Sequence, residues 1–165
     1  DDTLFILGDF CKGSPAKYLD RIDCKNVHLI LGNHDHPPAC RKAAFLSIAD
    51  SKLIKMGGLE AHLSHFPHMY WDGSHRGSYH LYGHVHGQRE EFFENVFPAR
   101  RAMDVGVDNA YRILGHYGPF SEEVILELLS CRGGHDHLEF YDEYQRDLYT
   151  ARGLTRPEGR RGYEG

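Results

Sequence analysis

Histidine is the residue type that stands out in this chain. Thirteen occur among 165 residues, scattered singly and in short motifs rather than as a tag. The densest pair is in "YHLYGHVHGQ" (79–88), where a short apolar run ends in Gly83 and His84 and His86 follow two residues apart. On an extended segment, side chains at i and i+2 point the same way, so the pair could offer two imidazoles to a metal ion. Three other stretches have the same form. "FILGDF" sets Asp9 directly after Gly8, "LILGNHDH" sets Asn33, His34 and Asp35 after Gly32, and "AHLSHFP" sets His65 two residues before Pro67. Any one of these alone reads as a turn, an Asx motif or a packed strand histidine. Four in succession, each closing an apolar run, read as one site. Mixed carboxylate, amide and imidazole donors suit Mn, Fe, Zn, Ni or Co and do not choose among them.

Short elements must bring these residues together. "TLFIL" (3–7), "VHLIL" (27–31) and "YHLY" (79–82) have strand character and each stops at a glycine. "LEAHLSH" (59–65) alternates after the Gly57-Gly58 turn, with "SKLIKM" (51–56) as its hairpin partner, and "AMDVGV" (102–107) is a further strand candidate. Helices are expected at "SPAKYLDRI" (14–22), with Ser14 as N-cap and Pro15 at the first helical position, and at "PPACRKAAFLSIAD" (37–50). A third is expected at "SEEVILELLS" (121–130), where Ser121 precedes two glutamates and an apolar face. Strands alternating with helices predict a layered α/β fold. In open α/β sheets ligands bind beyond the carboxyl ends of the strands. Parallel strands would therefore gather every one of these donors on one rim.

The order G-D, G-N-H-D, a strand-end His and G-H-x-H resembles the calcineurin-like metallophosphoesterase superfamily. "LFILGDF", "LILGNHD", "HLSHFP" and "SHRGSYHLYGHVHG" are similar to its small bacterial and phage members, and the resemblance spans roughly residues 1–130. It implies a layered α/β/β/α sandwich of the metallo-dependent phosphatase type and a site for two divalent metal ions. It further implies Asp9 as the carboxylate bridging both metals, Asn33, His65 and His84 as ligands of the second metal, and His86 as a ligand of the first. His34 matches the catalytic histidine beside the scissile phosphate, and Asp35 is expected to hold His34 in orientation. The implied activity is hydrolysis of a small phosphomonoester or phosphodiester by a metal-activated water.

The chain departs from that family at its first motif. D-x-H, which supplies two further ligands of the first metal, occurs nowhere in the sequence, and "HDH" at 135–137 has the wrong register. The second metal keeps Asp9, Asn33, His65 and His84; the first keeps Asp9 and His86. The chain opens on Asp1 rather than Met, so the expectation is a domain partial at its N-terminus and lacking its first strand. The alternative is a catalytically impaired metal-binding or protein-interaction module of the same fold.

Other residues have competing roles. Arg76, before the G-H-x-H strand, could reach a substrate phosphate or be an exposed loop arginine, and His75 is similar. His62 lies three residues before His65, so on a strand it faces the other way. His28 and His80 sit inside strands and are expected to be packed or hydrogen-bonded. Phe66, Tyr70 and Trp71 are candidates for a pocket wall or for ordinary packing. Residues 131–165 are expected to add one helix at "LEFYDEYQRDLY" and a flexible tail rich in Gly and Arg, with His135 and His137 in a solvated loop. A formal net charge of −5 disfavours, without excluding, a nucleic-acid-coating surface. No apolar run is long enough to span a membrane, and four cysteines without a C-x-x-C pair predict reduced thiols in a cytoplasmic protein. Oligomeric state and substrate identity have no signature here.

Overall fold

Two of the three apolar runs that stop at glycine pair side by side. In a computed structural model that describes residues 2–132, β1 (Thr3–Leu7) runs parallel to β2 (Asn26–Ile30), and β2 runs parallel to β3 (Ser47–Ala49). A second sheet has the order β4 (Ser51–Met56), β5 (Leu59–Ser64), β6 (Tyr79–Tyr82) and β7 (Ala102–Asp104). β4 and β5 form the antiparallel hairpin around Gly57-Gly58, while β5, β6 and β7 are mutually parallel. With helices α1 (Pro15–Leu19), α2 (Pro37–Cys40), α3 (Glu90–Val96), α4 (Val107–Leu114) and α5 (Glu122–Ser130), the described residues form a mixed α/β fold of two sheets and five helices. The expected C-terminal helix, His135, His137 and the Gly/Arg-rich tail lie outside the described residues.

Burial explains which runs became strands. All four residues of β6 are buried, as a continuous apolar run without alternation requires. Leu7 and Ile30 of the first sheet meet Ala61, Leu63, Leu81 and Met103 of the second in one core, which Ile125 and Leu129 of α5 close. Fully buried side chains such as Leu29, Ile30 and Leu129 each contribute about 1.5–3 kcal/mol relative to exposure. Ser121 caps α5 by accepting from the Val124 N–H at 3.4 Å. β1 is an edge strand; among the described residues nothing pairs with its outer side, and Leu4, Phe5 and Ile6 are only half-buried.

Two expectations are corrected. The helix expected over 37–50 is confined to Pro37–Cys40, and Ser47–Ala49 instead extends the first sheet. There the Leu46 N–H donates to Val27 O at 2.7 Å and the Leu31 N–H to Ala49 O at 2.8 Å, so pairing with β2 outweighs local helix preference. The strand expected over 102–107 ends at Asp104, because Val107 already begins α4.

Candidate metal centre

Four strand ends meet at His65. Its imidazole is 2% exposed and its two nitrogens have different partners. Nδ1 lies 2.7 Å from the Leu7 carbonyl at the end of β1, so Nδ1 carries the proton and donates. That tautomer leaves a lone pair on Nε2. Around Nε2 stand Asn33 Oδ1 at 3.0 Å, His84 Nδ1 at 3.2 Å and Asp9 Oδ2 at 3.4 Å. The donor atoms of Asp9, His65 and His84 all lie within 4.8 Å of one another.

Lone pairs so placed repel one another unless a proton or a cation lies among them. The spacing fits a cation. With bonds of about 2.1 Å, neighbouring ligand atoms sit roughly 3.0 Å apart in an octahedron and 3.4 Å apart in a tetrahedron. One carboxylate, one amide oxygen and two imidazoles therefore make a donor set that fits a divalent transition metal, held by Asp9, Asn33, His65 and His84.

The backbone around the site is unusual in the way the sequence requires. Asp9 (φ 54°), His84 (φ 65°) and His86 (φ 52°) are the non-glycine residues with positive φ among those described. Such conformations cost energy and persist where surrounding structure holds them, commonly at functional sites. The glycines that precede Asp9 and Asn33 are spacers. A Cβ on Gly8 would lie 2.2 Å from His65 Nδ1, and one on Gly32 would lie 2.3 Å from Asp9 Oδ1.

Two acidic residues hold these loops. Asp35 accepts from the Asp9 N–H (2.9 Å) and the Gly32 N–H (2.8 Å) through Oδ2, and from the Phe10 N–H (2.9 Å) through Oδ1. It clamps the loops after β1 and β2 together, so the expectation that it orients His34 is corrected. The His34 backbone N–H donates to Asp9 Oδ1 at 2.8 Å, while the residue itself is exposed at the rim beside Asn33. Asp104, buried at the end of β7, accepts from the Gly87 N–H and the Gly106 N–H, both at 2.7 Å, and so holds the loop that carries His84 and His86. Burial pushes the Asp104 carboxyl pKa up, and its backbone donors oppose that.

His86 is not in the cluster. Its Nδ1 is bonded to Asp108 Oδ2 at 2.5 Å, an interaction that raises its pKa. Its expected partnership with Asp9 is thus replaced by a carboxylate at the start of α4. Arg76 is also elsewhere: it is exposed on the turn Ser74–Arg76, 3.8 Å from Asp72 and 3.0 Å from His75 Nε2, and is not among the residues lining the cavity at the cluster. His62 faces His68 and His80, with ring centroids 5.2 and 5.4 Å away. His28 bonds Ser47 and stacks on Phe5. Trp71 packs beneath Arg100 near Tyr82, and Phe66 stands against His84 at 4.5 Å. Asp104 and Asp108 escaped the sequence reading. A buried acid closing a strand and an acid in the first helical turn after Gly106 are the signals that could have found them.

The cluster opens into a cavity of about 410 Å³ that Asp9, His65, His84, His86 and Asp108 line together with β1. No family model and no curated protein matches the chain. Among solved structures it is similar to the protein of unknown function AQ665 from Aquifex aeolicus, with 25% identity over 77% of this chain and 76% of that one and a TM-score of 0.57. That likeness agrees with the mixed α/β fold. Among the described residues no helix is long and apolar enough to cross a membrane.

Proposed function

We propose that the chain is a metal-dependent phosphoesterase of the calcineurin-like type, with a layered α/β/β/α sandwich, that hydrolyses a small phosphomonoester or phosphodiester in the cytoplasm. The observation that carries this reading is the convergence of Asp9, Asn33 and His84 on Nε2 of His65. A divalent cation held there would polarise a phosphoryl oxygen and bring the pKa of a coordinated water toward neutrality. The protein's own residues supply the rest. Leu7 O fixes the tautomer of His65, the His34 N–H anchors the second oxygen of Asp9, and Asp35 keeps both loops in register. Few carboxylates among the ligands leave the loaded site positive, which favours an anionic ester. His34, exposed in the loop after β2, would donate a proton to a leaving alkoxide or bond an equatorial oxygen.

The test is hydrolysis of an aryl phosphodiester with Mn(II), Fe(II), Zn(II), Ni(II) or Co(II) added in turn. Activity is expected with at least one metal, falling about a hundredfold or more in Asp9→Asn, His84→Ala and His34→Ala. Inactivity with every metal, or an unimpaired Asp9→Asn protein, contradicts the proposal. The second reading, a metal-binding or interaction module without turnover, is favoured by the pairing of His86 with Asp108. It predicts that metal binds and no ester is cleaved.

A further inference from the structure

The cavity at the metal centre has a second wall that hydrolysis does not use. Tyr117 lines it together with Asp9, His65 and His84, and its ring stacks on Tyr111 with centroids 4.6 Å apart and planes 16° from parallel. Neither tyrosine is a core residue: Tyr111 is 52% exposed and Tyr117 65%. Stacking one ring on the other leaves a broad aromatic face open to solvent. Its position relative to the metal ligands follows from α4. Asp108, which holds His86, and Tyr111 are three residues apart on that helix and so share a face. The aromatic pair thus stands about one helical turn from the carboxylate that adjoins the G-H-x-H loop. A cavity of about 410 Å³ lined both by polar donors and by an aromatic ring is of the size and kind that takes a small molecule.

We infer that Tyr117, backed by Tyr111, is a stacking platform for the planar ring of the substrate, whose class is then a nucleoside monophosphate or a similar ring-bearing phosphate ester. This rests on the phosphoesterase reading for the phosphate end only. The ring end follows from the exposed tyrosine pair. Every nucleobase offers a π-face, so such a platform selects for a base over none without selecting strongly among bases. Tyr117 is a positioning residue: it holds the ring and leaves the phosphate to the metal ligands.

The experiment is calorimetric titration of adenosine 5′-monophosphate and of ribose 5-phosphate into Mn(II)-loaded His34→Ala protein, a background chosen to suppress turnover. The readout is the ratio of the two affinities, which a general loss of folding does not move. The expected ratio is about tenfold in favour of the ring-bearing ligand, the size of one base–aromatic stack. Adding Tyr117→Phe should keep it, and adding Tyr117→Ala should reduce it to within about twofold. A ratio near one with Tyr117 present, or an undiminished ratio in Tyr117→Ala, overturns the platform. Repeating the ribose 5-phosphate titration without Mn(II) tests the metal reading separately, and the ratio decides the platform whichever way that goes.

Discussion

At the scale of single residues, the site depends on who holds whom. His65 is useful because Leu7 O takes the proton-bearing nitrogen, and Asp9 is useful because the His34 N–H occupies one of its oxygens. The donor types and the three glycine-terminated strand ends were legible from spacing, since a loop that must approach a neighbour closely needs glycine. What spacing could not show is where a carboxylate turns. Asp35 follows His34 in sequence yet serves three backbone N–H groups, and Asp108, twenty-two residues from His86, is its actual partner. Asp35→Ala should therefore act through the loops. Loss of three charge-assisted bonds is expected to lower stability by about 2–4 kcal/mol in urea unfolding and to weaken Mn(II) binding as well. Unchanged stability with lost catalysis would return Asp35 to the role of orienting His34.

At the scale of elements, strands stopped by glycine were readable because their apolar runs are short and continuous. β3 was hidden because Ser47–Ala49 follows an alanine-bearing helical run and becomes a strand only through the β2 ladder. α4 was hidden because Val105 and Val107 prolong the strand pattern past Asp104. β6 carries a testable consequence of total burial. His80 is 0% exposed, accepts from the His68 N–H and donates to His62 O, and burial lowers its pKa from 6.5 to about 3. Because the folded value is depressed, the unfolded chain binds the extra proton between those two values. Stability is then fully present above about pH 6.5 and falls as pH drops toward 3, by at most about 1.4 kcal/mol per pH unit. The partial burial of His62 acts in the same direction. Urea midpoints at pH 7 and pH 5 should differ less in His80→Gln than in the native protein; equal differences would mean that His80 is not the group responsible.

At the scale of the whole molecule, two sheets face each other across one core, and the carboxyl ends of β1, β2, β5 and β6 meet on one rim. This is why residues as far apart in sequence as Asp9 and His84 stand within 4.8 Å of each other at their donor atoms. Among the described residues, Asp9, Asn33, His65 and His84 are the donors that could surround one cation, while His86 is turned to Asp108. The most direct measurement is an equilibrium titration of Mn(II) into the full chain, followed by electron paramagnetic resonance of the free ion. The account predicts one tight site per chain, weakened at least about tenfold in Asp9→Asn and in His65→Gln, with His86→Ala close to native. Native-like binding in both Asp9→Asn and His65→Gln, or no tight site in the native protein, would contradict it.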